Sequence, residues 1–203
     1  MDKDLFKSHI DRNAKIIDNI RDAACKIHES VNQTYDGNRP YGYHLCMVAD
    51  TAMDYGHEVV DDGKGILPMI FGAYFHDCIE DARMTYNDVM DIARTFMADD
   101  NARIATEIVY ALTNEKGRTR QERAGEKYYE GIRTTPYAPF VKLCDRYANM
   151  SYSHSVAGYR GRRMFPIYKS EWPHFLASIN VPDGDPRLRL PEALIKAVEA
   201  IIH

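Results

Sequence analysis

Residues 66–75, Ile-Leu-Pro-Met-Ile-Phe-Gly-Ala-Tyr-Phe, carry no charge and run straight into His76-Asp77-Cys78-Ile79-Glu80-Asp81. A membrane-spanning helix needs about 20 apolar residues. This run is half that length and predicts a helix at the centre of a folded domain instead. On a helix over 66–81, His76 stands over Glu80 and Asp77 over Asp81, because residues four apart share a face. A solvated face has no use for the apolar lead-in, and a core excludes these charges unless they are paired or hold a metal. The chain must therefore place an ionisable cluster at the inner end of a buried helix.

The rest of the sequence supplies helices to bury it. Leu5, Phe6, Ile10, Ile17, Ile20, Ala24 and Ile27 form the stripe of an amphipathic first segment. Asp36-Gly37-Asn38-Arg39-Pro40 breaks the pattern. A second helix is expected over 43–55, then a polar turn over 57–65. Thr85 and Asp88 stand in capping relation before a helix reaching 97. Further helices are expected over 102–113, 139–152, 164–179 and 191–202, with a charged surface segment at 117–129. Alternating strand patterns joined by two-residue turns are absent. The expected fold is all-α, a single domain of seven to nine helices over 1–203. At 203 residues, 45% of them hydrophobic, such a domain buries roughly 70% of the surface its unfolded chain exposes and needs no staples.

Charge narrows the partners. Lys and Arg number 26 against 30 Asp and Glu, which lacks the basic excess of a general nucleic-acid binder but leaves room for a small anion held by local cations. No membrane span is expected, and Met1-Asp2-Lys3-Asp4-Leu5-Phe6 does not read as a secretory signal. Cys25, Cys46, Cys78 and Cys144 lack C-x-x-C spacing and sit in apolar segments. Reduced, buried thiols in a cytoplasmic protein are the expectation.

His44 opens the second helix, and Asp145 and Asn149 share a face of the helix over 139–152. With His76 and Asp77 they make two imidazoles and two carboxylates. That N/O set suits manganese, iron or zinc with coordination positions left open, better than calcium or a closed thiolate site. A metal so held acidifies water and polarises a phosphoryl oxygen. A carboxylate outside the ligand set can orient the water or take its proton.

The order His44…His76-Asp77…Asp145 resembles the metal-binding signature of the HD phosphohydrolase superfamily, which is all-α. Within it, His76-Asp-Cys-Ile-Glu-Asp81 is similar to the HDxxED motif of the RelA/SpoT-type (p)ppGpp hydrolases, including their short single-domain forms. Asp36-Gly37 with Pro40-Tyr41 before His44 resembles a second motif of that family. Thr113-Asn-Glu-Lys116 with Arg120 and Arg123 resembles a third, and Lys142-Leu-Cys-Asp-Arg-Tyr-Ala-Asn149 a fourth. The resemblance covers roughly residues 20–180. It implies His44, His76, Asp77 and Asp145 as ligands of a manganese ion, and Glu80 and Asp81 as the pair that positions and activates the attacking water. It implies Asn149, Lys116, Arg120, Arg123 and Tyr168 as contacts to a small phosphorylated nucleotide. The implied reaction cleaves the 3′-pyrophosphate of (p)ppGpp to GDP or GTP and pyrophosphate, with no synthetase domain in the chain.

One departure bears on the substrate. The family usually carries a basic pair before its Gly-Pro-Tyr segment, whereas Asn32-Gln33-Thr34-Tyr35 stands there in this chain. Tyr35 offers a ring to stack on a base, and Arg39 offers a cation in place of the pair. Two further readings therefore stay open: an HD hydrolase of another phosphorylated nucleotide or nucleotide cofactor, and a non-catalytic nucleotide-binding module. A cysteine-based metal or redox site is the weakest, because Cys78 and Cys144 adjoin the implied ligands yet point about 100° away from them on a helix.

Overall fold

The computed structural model describes residues 1–114, 116–155, 159–181 and 184–203. Glu115, in the Thr113–Lys116 motif, lies outside the described residues. The helices are α1 (Lys3–Arg12), α2 (Ala14–Ser30), α3 (Gly42–Tyr55), α4 (Ile66–Phe75), α5 (Cys78–Asp81), α6 (Tyr86–Phe96), α7 (Asp99–Leu112), α8 (Arg120–Arg123), α9 (Glu126–Thr134), α10 (Ala138–Ser155), α11 (Tyr159–Ile179) and α12 (Glu192–Ile202). The fold is all-α, as the periodicity predicts. Among the described residues ten of these helices have nine residues or more, against the seven to nine expected. The first segment divides at Asn13, whose side-chain amide and backbone N–H both donate to the His9 carbonyl. The charged segment over 117–129 also divides: α8 stays on the surface, while α9 buries Tyr128, Tyr129 and Ile132.

The apolar run is the centre of the bundle. Nine of the ten residues of α4 are buried, and α3, α7 and α10 pack around it. Gly72 lets α7 come close, since a Cβ there would lie 2.5 Å from Ile108 Cγ2. Val59 and Val60 enter the core from the segment expected to be a polar turn, which contains the 3₁₀ turns Gly56–Glu58 and Gly63–Gly65. Thr85 and Asp88 form the expected capping box at the start of α6. No helix among the described residues is long and apolar enough to cross a membrane.

Two local departures shape the site. The helix expected over 66–81 breaks at His76-Asp77, where Asp77 adopts φ −101°, ψ 0°, and resumes as α5. His76 and Asp77 therefore stand in a turn, yet the four-apart relation of Asp77 to Asp81 is kept, with the Asp81 N–H donating to the Asp77 carbonyl at 2.8 Å. The Gly-rich break before α3 folds into a small hairpin, β1 (Thr34–Tyr35) antiparallel to β2 (Arg39–Pro40), with Tyr35 opposite Arg39. Asp36 and Gly37 turn it at φ 51° and 78°, left-handed conformations that Asp tolerates and Gly adopts freely. The residue pair is too short to show strand alternation in the sequence. Its effect is to aim Tyr35 at the first turn of α3.

Candidate metal centre and its cavity

Three core elements bring the centre together. His44 lies in the first turn of α3, His76 follows the last turn of α4, and Asp145 lies midway along α10. All three are buried. His44 Nε2 lies 3.2 Å from His76 Nε2 and 3.3 Å from Asp145 Oδ1, which is 3.9 Å from His76 Nε2. His76 Nδ1 pairs with the Ala73 carbonyl at 2.8 Å; donating its proton there leaves Nε2 as a lone-pair donor facing the others, the usual arrangement of a ligating imidazole. Three buried donor atoms within 4.8 Å of one another repel unless a proton or a cation lies among them, so this cluster could hold a metal ion. It fits the N/O donor set expected from the sequence.

Asp77, the fourth expected ligand, stands beside this trio. Its Oδ2 is 3.0 Å from His76 Nε2 and 3.7 Å from His44 Nε2, and it accepts a 2.5 Å hydrogen bond from Tyr41 Oη. Burial penalises the Asp77 carboxylate, but His76 overrides that and holds its pKa well below the usual carboxylate range. Burial likewise disfavours a charged His76, and Asp77 and Asp145 overcome it to push the ring up to about 9. Asp145 is also held low against its burial, chiefly by Lys142, whose Nζ donates to Asp145 Oδ2 at 3.0 Å. On the other side Asn149 Nδ2 donates to Asp145 Oδ1 at 2.5 Å, and Tyr35 Oη donates to Asn149 Oδ1 at 3.0 Å. The Tyr35 ring stacks on His44 with centroids 4.9 Å apart and planes 9° from parallel.

These groups face a cavity of about 740 Å³ that Glu80 and Asp81 also line. The break after α4 points the two acids to different supports. Asn114 Nδ2 holds both Glu80 oxygens, at 2.8 and 3.1 Å, while Gln33 Nε2 donates to Asp81 Oδ2 at 3.1 Å. Burial and the neighbouring Asp77 raise the Asp81 pKa. That suits a carboxylate which must take a proton and release it.

Arg120, Arg123 and Tyr168 line the far part of the cavity, joined by Arg146 and Glu171. Lys116 and Arg39 do not line it. Lys116 is exposed, and Arg39 lies over the Tyr43 ring at 4.6 Å, outside the mouth. A neighbouring cavity of about 420 Å³ shares Tyr35, Asn149 and Tyr168 with the first and adds Tyr152, Met164 and Ile167. Sequence reasoning left Lys142, Gln33, Asn114 and Glu171 without roles. Of these Lys142 carried a signal, three residues before Asp145 and so on its face, and Asn114 stood inside the Thr113–Lys116 motif. All four cysteines are free, but only Cys78 and Cys144 are buried as expected, where burial raises their thiols further from reactivity, while Cys25 and Cys46 are half-buried. No protein-family model and no curated protein matches this chain.

Proposed function

We propose that this chain is a metal-dependent phosphohydrolase, with manganese as its ion, that cleaves the 3′-pyrophosphate of (p)ppGpp. The observation that carries the reading is that His44, His76 and Asp145 converge on one point while two further acids, Glu80 and Asp81, line the same cavity without joining the closest donor group. A divalent ion held by His44, His76 and Asp145, with Asp77 at its edge, would polarise a phosphoryl oxygen and acidify water. Glu80, held by Asn114, orients the attacking water, and Asp81 accepts its proton. Lys142 fixes Asp145 from behind and adds a positive charge where phosphoryl oxygens gather. Water attacks the phosphorus next to the ribose, the bond to the 3′ oxygen breaks, and that oxygen leaves with a proton as the nucleoside hydroxyl. Tyr152, which lines the adjoining cavity, offers an aromatic ring to a nucleobase.

A second reading, hydrolysis of a different phosphorylated nucleotide or nucleotide cofactor, is favoured by one observation. Tyr35, standing where the family carries its basic pair, spends its hydroxyl on Asn149 and its ring on His44. The deciding experiment is product analysis after incubation with manganese and ppGpp beside a panel of other nucleotides, with Glu80→Ala as control. Pyrophosphate and GDP from ppGpp support the first reading. Turnover of another nucleotide alone supports the second, and no turnover of any, with metal bound, leaves a binding module.

A further inference from the structure

The cavity rim contains a charge arrangement that the hydrolytic chemistry does not use. Glu171 on α11 is shared between two guanidinium groups. Arg120 meets it with a fork, Nε to Oε1 at 2.6 Å and Nη2 to Oε2 at 3.0 Å. Arg146 adds a third bond from Nη1 to Oε2 at 2.9 Å. Parallel donation of this kind is how arginine binds a phosphate group as well as a carboxylate.

The two arginines are held very differently. Arg146 has 9% of its side chain exposed and is packed against the faces of Phe175 and Tyr168, its guanidinium carbon 4.3 and 4.8 Å from their centroids. Arg120 is 47% exposed, projects from the four-residue α8, and packs less closely on an aromatic face, 5.4 Å from the Tyr168 centroid. The Glu171–Arg146 half is therefore fixed, and the Glu171–Arg120 half lies at the solvent boundary, where ion pairs are weak and exchange readily.

We propose that Glu171 is a built-in occupant of an anion subsite at the cavity rim, and that a phosphoryl group of the ligand displaces it from the Arg120 fork. The proposal rests on the reading that the ligand is phosphorylated. Glu171 keeps Arg146 as its partner after the exchange, so no buried charge is left unpaired. Because the subsite and the metal centre open into one cavity, the preferred ligand carries two separated anionic groups. One meets the metal centre and Lys142, and the other meets Arg120. A ligand with a single phosphoryl group reaches only one end and has nothing to offset the loss of the Glu171 pair.

The test measures binding alone. Inorganic pyrophosphate is titrated calorimetrically into the metal-free protein in the presence of chelator. Glu171→Gln keeps the side-chain shape and an acceptor for Arg146 but removes the competing charge. It is expected to bind pyrophosphate about fivefold more tightly, the factor that matches an exposed ion pair. Arg120→Gln, on the exposed α8, is expected to bind several-fold more weakly with an unchanged unfolding midpoint. Unchanged or weaker binding by folded Glu171→Gln overturns the proposal. So does wild-type binding by Arg120→Gln, which decides the question even where Glu171→Gln fails to fold. Hydrolysis plays no part in this readout. A chain that hydrolyses ppGpp yet shows neither shift loses only the subsite, and a chain that shows both shifts without hydrolysing any nucleotide loses only the proposed reaction.

Discussion

The two ends of the cavity are built on opposite plans. At the inner end His44, His76 and Asp145 are buried on or beside core helices, and the carboxylate is surrounded by His44, His76, Lys142 and Asn149. At the rim Arg120 and Arg123 project from a four-residue helix on the surface. The inner geometry is therefore set by the same packing that folds the chain, so chemistry and stability are linked there. At the rim a side chain can change with little effect on folding, and ligand preference can change with it.

The largest expected break in that contrast is at Asp145. Asp145→Asn removes a donor and leaves the Lys142 ammonium without its carboxylate, and stripping one partner from a buried pair costs about 3–5 kcal/mol. Urea unfolding should show a loss of that size, and metal analysis after gel filtration should show no retained manganese. Glu80→Gln separates the two properties that Asp145 joins. Among the described residues its carboxylate takes hydrogen bonds from Asn114 alone, so the fold and the metal content should survive. Turnover of the nucleotide substrate should fall about 10²–10⁴-fold, the usual contribution of a general acid–base group. A variant that loses its metal instead would place Glu80 in the ligand set.

The contrast was only half visible in the sequence. Residues 66–75 announce a buried helix by apolarity alone, and the candidate ligands His44, before it, and His76 and Asp145, after it, stand in readable order. The break at His76-Asp77 was not readable, because both residues are compatible with a helix and the partners Asp77 meets there, Tyr41 and His44, lie more than 30 residues away in sequence. Gln33 and Asn114 were hidden for another reason. They are single polar residues far in sequence from the acids they hold, and no periodicity marks them. Arg146 and Glu171 lie on different helices, 25 residues apart, and their sharing with Arg120 is a property of the packed bundle only.

A middle case lies just behind the centre. His28 is fully buried, its ring stacks on Tyr41 with centroids 4.5 Å apart, and neither ring nitrogen has a partner among the described residues. Burial lowers its pKa to about 4, with Asp77 opposing and His76 and His44 assisting. The folded value lies below the ordinary 6.5, so the unfolded chain takes up the proton first. Its contribution to stability is full above pH 6.5 and is lost as the pH falls towards 4, by about 3 kcal/mol in all. Carboxylates also titrate as the pH falls, so the variant is the control. His28→Phe keeps the stack on Tyr41, and its unfolding free energy should fall less between pH 7 and pH 4.5 than that of the wild type. Parallel pH curves for the two would show that the ring nitrogens find partners in the folded chain.

At the other extreme of the comparison is Arg123, exposed on α8 and lining the outer cavity. It stands among cations that a phosphorylated ligand would meet before reaching the metal centre, and its charge acts across solvent, where screening keeps each contribution small. Arg123→Gln should leave the unfolding midpoint and the metal content unchanged. It should raise KM for the nucleotide by about fivefold or less while leaving kcat alone, the signature of lost ground-state binding. Raising the salt concentration should shrink the difference between variant and wild type, because the missing interaction is a screened one. A fall in kcat would instead carry the influence of α8 as far as the reacting phosphorus. The proposed separation between an inner end for chemistry and a rim for ligand selection would then have to be redrawn inside the cavity.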